Sequence, residues 1–95
     1  MNHDQVRETL EAQIGALVKA RRETQDASEK AAASEAIAKL EREVDQLDIT
    51  VANALPAKVD AIISSLEQVL NAHRLDAASA LGRSVRKLRD LARNR

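Results

Sequence analysis

Apolar residues recur at helical spacing along most of the chain. Val6, Leu10, Ile14 and Leu17 form one stripe. Ile37, Leu40, Val44, Leu47, Val51 and Ala54 form a second, whose 3,4,3,4,3 spacing is a heptad seam. A third comprises Val59, Ile62, Ile63, Leu66, Val69 and Leu70, and a fourth Ala77, Leu81, Val85, Leu88 and Leu91. The pattern predicts an all-α fold: an antiparallel helical hairpin or small helical bundle with coiled-coil character, in one domain spanning residues 1–95.

The boundaries follow from capping chemistry. Asn2 and Gln5 have the spacing of a capping box and open the first helix. "NALPAKVD" is the firmest break: the residue before Pro56 is pushed out of helical geometry, and proline suits the first position of a new helix. Between these points the chain has a choice. Leu10 and Ile37 are 27 residues apart, so at about 100° per residue one straight helix would carry its two stripes on opposite faces. Asp26 and Glu29 offer a cap for a break. Ala31, Ala32 and Ala33 favour helix, and no Gly or Pro lies between Leu17, the end of the first stripe, and Ile37, the start of the second. We read residues 3–54 as one long arm, continuous or mildly bent near Asp26. Gly15, inside this arm, is expected to permit close approach by a neighbouring helix.

Leu75 decides how the chain ends. A continuous helix through "VLNAHRLDAASALGR" would leave Leu75 in water, off the stripe around it. A turn at His73–Leu75 resolves this, with Asp76 as N-cap and Leu75 stapled onto Ala80. The last two helices then run over about 56–73 and 76–93. Leu70, His73, Arg74, Asp76, Ala77, Ala78, Arg83 and Ser84 resemble a helix-turn-helix segment of the helical domain shared by the steroid receptor RNA activator protein and the outer coat subunit of secretory vesicles. The resemblance covers about a sixth of the chain, and Leu75 stands where that family carries an aromatic. It implies an all-helical, non-enzymatic interaction domain.

Composition sharpens the picture in three ways. The chain of 95 residues has no Phe, Tyr, Trp or Cys, and much of its apolar content is alanine. Burial contributes about 25 cal/mol per Å² of apolar surface, so an alanine-rich core is thin and self-association would add to stability. The formal charge is zero but unevenly placed. Residues 1–50 hold eleven acids and seven bases, and residues 51–95 four acids and eight bases. Finally, the lack of cysteine suits a reducing cytoplasm, and neither a membrane span nor a signal peptide is recognisable.

Candidate chemistry is sparse. His3, near the terminus, reads as solvated, and His73 as a capping or packing residue, because neither has the partners of a metal site. Glu41, Asp45 and Asp48 share one helix side and read as a solvated face. Ser64, Ser65, Ser79 and Ser84 have no nearby base. No phosphate loop, nucleophile elbow or cofactor motif is present, so no enzyme, cofactor or metal is expected. The residues favour a protein–protein interaction module: an oligomeric scaffold, adaptor or small chaperone-like cofactor. Its partner would be a second copy, most simply in a homodimer, or another helical protein. Ile37, Leu40, Val44, Leu47 and Val51 are the expected interface. The alternative is nucleic-acid binding through Arg83, Arg86, Lys87, Arg89 and Arg93, weakened by the absence of any aromatic to stack on bases.

Overall fold

In the computed structural model, which describes residues 1–94, the polypeptide does not continue as a rod after its first helix. Helix α1, His3–Glu23, opens with the expected box: Gln5 N donates to Asn2 Oδ1 and Asn2 N to Gln5 Oε1, both at 2.9 Å. It stops at Thr24, whose backbone is extended. Asp26 then accepts from Glu29 N at 3.0 Å and starts α2, Ala27–Gln46. The Thr24 hydroxyl bonds the Glu29 carboxylate and locks the turn. The long arm expected over residues 3–54 is therefore two antiparallel helices. The physical reason is the offset of the two stripes. A rod would save a few tenths of a kcal/mol per residue of helix propensity. A hairpin turns Val6, Leu10 and Leu17 onto Ala32, Ala36 and Leu40, at ~1.5–3 kcal/mol for each large aliphatic.

The second half of the chain closes the bundle. After α2 come two 3₁₀ turns, Leu47–Ile49 and Ala52–Ala54, then α3, Leu55–Ala72. A helix begins at this boundary as expected, but one residue early: Leu55, expected outside helical geometry, is helical at φ −59°, ψ −43°, and Pro56 is second, where its missing N–H still costs no intrahelical bond. Helix α4 is Ala80–Arg93. Successive helices are antiparallel neighbours and α4 returns to α1, giving an up-down-up-down four-helix bundle of 40 × 20 × 17 Å. The core draws on every helix. Val59, Ile62, Ile63, Leu66 and Val69 of α3 meet Leu81, Val85, Leu88 and Ala92 of α4 and the α1–α2 pair. Ser84, a polar residue only 1 % exposed, donates from Oγ to Gln13 Oε1 at 3.0 Å.

The turn expected at His73–Leu75 is present, and its chemistry differs from the expectation. Arg74 adopts the left-handed conformation, φ 56°. Leu75 N bonds Leu70 O at 3.0 Å and Arg74 N bonds Asn71 O at 3.1 Å. This is a Schellman closure of α3, with Leu75 packed on the core as its apolar contact. Asp76 is not the N-cap of α4. Its carboxylate accepts from Ala78 N and Ser79 N and holds a separate turn, while Ser79 Oγ caps the helix by accepting from Gly82 N at 3.1 Å. The turn folds so closely onto α4 that a Cβ at Gly82 would lie 2.6 Å from the carbonyl oxygens of Asp76 and Ala77. Gly15, by contrast, has nothing within 4 Å of where a Cβ would stand. The close approach expected at Gly15 is found at Gly82.

The two glycines should respond oppositely to alanine. In dilute solution Gly82→Ala is expected to destabilise by ~1–3 kcal/mol, because backbone must move. Gly15→Ala should stabilise by up to about 1 kcal/mol through helix propensity. Chemical denaturation of the two variants checks the contrast. Arg74→Gly relieves a left-handed residue and should raise the melting temperature by roughly 2–8 °C; a fall would contradict the turn geometry.

Candidate interaction surfaces

Five residues were expected to form a partner seam, and the structure separates them. Ile37, Leu40 and Leu47 are buried against the chain's own helices, at 5 %, 0 % and 0 % exposure. Val44 is half-buried on the core. Val51 alone is open, at 65 %, because the heptad pattern outlasts the helix: α2 ends at Gln46 and the chain turns before Val51. A partner meeting the folded bundle can reach Val51 but not the centre of the seam.

Ile49, which the spacing did not single out, is the most exposed large aliphatic, at 84 %. It and Val51 flank Thr50 on the connection between α2 and α3. This connection is held, not loose. Thr50 N bonds Leu47 O at 3.1 Å, and its hydroxyl donates to Gln46 O at 2.8 Å. From the first turn of α1, His3 Nε2 donates to Thr50 O at 2.5 Å. Beside it Arg7 reaches Asp48 at 2.8 Å. His3 therefore is not a free terminal side chain, since the α1–α2 hairpin returns it to this connection. Leu47 and Leu55 point into the core at either end of the segment and leave Ile49 and Val51 outside.

A second surface is the groove between α2 and α3, the least closely packed of the neighbouring pairs. Two recesses of 270 and 440 Å³ lie along it and share Lys39, Arg42 and Ser65. Small side chains explain the space: Ala38, Ala61 and Ala72 stand where larger ones would fill it. One end is crossed by Lys58 Nζ, 2.6 Å from Glu43 Oε2 and 2.7 Å from Gln46 Oε1. The Glu43 oxygen is buried and the Lys58 approach lies off hydrogen-bond angle, so this contact is Coulombic. At the other end His73 Nε2 lies 3.4 Å from Glu35.

The third surface is the outer side of α4, where Arg83, Arg86, Lys87 and Arg93 are exposed around Asp90. Their commitments differ. Arg83 donates to Ala78 O at 2.9 Å, Arg93 lies 3.6 Å from Asp90, and Arg89 pairs with Glu67 of α3. Arg86 and Lys87 have no hydrogen-bond or ion-pair partner among the described residues. Glu41 and Asp45 are exposed on α2, and Asp48 faces Arg7. Among the described residues no group of three or more His, Cys, Asp or Glu could hold a metal ion, and no helix is long and apolar enough to cross a membrane.

No protein-family model, curated protein or solved structure matches the chain.

The burial pattern separates two neighbouring positions. Leu47→Asp places a charge in the core at a cost of several kcal/mol, against a total stability of ~5–15 kcal/mol, and is expected to unfold the protein. Ile49→Asp with Val51→Asp should change stability by less than about 1 kcal/mol. Circular dichroism melts of both variants read the difference.

Proposed function

We propose that this chain is a non-enzymatic protein–protein interaction module that engages another protein through the Ile49–Val51 end of its bundle. The observation carrying the reading is the pair of large, branched aliphatics held exposed on a hydrogen-bonded connection, in a chain that buries or half-buries its other large aliphatics. Removing each from water would contribute ~1.5–3 kcal/mol, enough for the anchor of a docking contact.

The size of that end bears on the kind of partner. Its section is 20 × 17 Å, about 340 Å², well below the ~800 Å² per partner of a stable interface. Two copies meeting end to end would have too little area. A concave site on a different protein, closing round the protruding residues, suits the shape better. An adaptor or scaffold role follows, and the lack of cysteine is compatible with a cytoplasmic setting.

Nucleic-acid binding is the second reading, favoured by the uncommitted Arg86 and Lys87 on α4. It would depend on phosphate contacts alone, since the sequence has no aromatic residue. A gel shift with duplex DNA and RNA at low salt, lost on Arg86→Ala with Lys87→Ala, would establish it in place of the first.

A photoreactive amino acid at exposed Asn53, beside the anchors, tests the main reading in the cells that make the protein. A discrete adduct with a different polypeptide is expected. It should vanish when Ile49→Asp and Val51→Asp are added, with helicity and melting temperature retained. An adduct that survives those changes would contradict the role of the anchors.

A further inference from the structure

We infer that a second copy of the chain lays the outer face of its α1 into the α2–α3 groove. The contact lies away from the Ile49–Val51 end and does not rest on the function proposed for that end.

The groove has the dimensions and charge of a helix site. Along α2 it runs from Gln46 to Glu35, about 16 Å or three helical turns. Its small residues, Ala38, Ala61 and Ala72, leave room for a backbone to approach closely. Lys39 and Arg42 border both recesses and have no partner among the described residues.

The outer face of α1 is complementary. Glu11, Gly15 and Lys19 follow one another at four-residue spacing and are exposed, with Ala12 and Ala16 alongside. Glu11 and Lys19 have no partner among the described residues. Gly15 lies inside a helix, where glycine is unfavourable. It has neither a positive φ nor a neighbour that a Cβ would touch, so within one copy its missing side chain serves no packing purpose.

Charge fixes one orientation. With α1 antiparallel to the α2 of the other copy, Glu11 lies opposite Arg42, Gly15 opposite Ala38 and Lys19 opposite Glu35. Glu11 and Lys19 are ~12 Å apart along their helix axis, and Arg42 and Glu35 ~10.5 Å, so the pairs coincide. The parallel orientation would set Glu11 against Glu35 and Lys19 against Arg42. The long side of the bundle that carries the groove measures 40 × 20 Å, more than twice the area of the 20 × 17 Å end. Donor face and receiving groove are different surfaces, so the contact is heterologous and copies can continue to add.

Sedimentation over a range of concentrations and at two salt concentrations tests the contact. The unaltered chain should show mass rising with concentration, less so at higher salt. Glu11→Lys alone and Arg42→Glu alone should each weaken association about tenfold, because an exposed attraction becomes a repulsion. A chain carrying both substitutions should associate again, since the pair is restored with reversed sign. All positions are exposed, and melting temperature confirms the fold of each variant. Ile49→Asp with Val51→Asp should leave this association unchanged, which separates it from the end contact. A chain that stays monomeric at every concentration, single variants that associate normally, or a double variant that does not recover would each overturn the inference.

Discussion

Two apolar stripes in the first half of the chain point in opposite directions along any straight helix, and the fold depends on bringing them face to face. The break at Thr24–Asp26 does so. Its means are local: an extended Thr24, the Asp26 cap on Glu29 N, and the Thr24 hydroxyl on the Glu29 carboxylate. Each such bond is worth only about 1 kcal/mol. The larger stabilisation is tertiary, in the burial of Val6, Leu10, Leu17 and Leu40, and alanines at 32, 33 and 36 let the two helices come close. Once the hairpin forms, α3 and α4 cover its open side.

The surfaces follow from that arrangement. An antiparallel α1–α2 pair returns the amino terminus to the α2–α3 connection, where His3 and Arg7 hold Thr50 and Asp48. The connection is thereby fixed with Ile49 and Val51 outward. The alanines and serine that thin the α2–α3 contact leave a groove there, whereas α1 and α2 fit closely. Charge separates in the same way. The stretch from Asp26 to Asp48 has seven acids and three bases, and α4 five bases and one acid. These two segments sit at diagonal corners of the bundle.

Much of the fold was legible in the residues. The four stripes, the Asn2–Gln5 box, Pro56 and the turn before Leu75 were readable because each is set by local chemistry or by period. The break at Thr24–Asp26 is less legible, because helix propensity in Ala31–Ala33 is visible locally, whereas the burial that outweighs it is visible only once all four helices are present. Asp76 and Ser79 are both good caps in the same short segment, and choosing between them required the close packing of the turn on Gly82. The surface was harder still. A heptad seam identifies residues that pack against some helix, without saying whose. Ile37, Leu40 and Leu47 found that helix within their own chain. Ile49 lay off the seam, so no spacing rule singled it out, although an isoleucine between Asp48 and Thr50 at the end of a helical pattern was the available signal.

The hairpin itself is open to a single distance measurement. Spin labels at exposed Gln5 and Gln46, diluted with unlabelled protein, report whether α1 and α2 fold back on each other. Antiparallel packing predicts a separation of roughly 10–20 Å, set by the spacing of adjacent helices plus the labels. An unbroken helix would place the same positions about 62 Å apart, from 41 residues at 1.5 Å each, and that result would contradict the account.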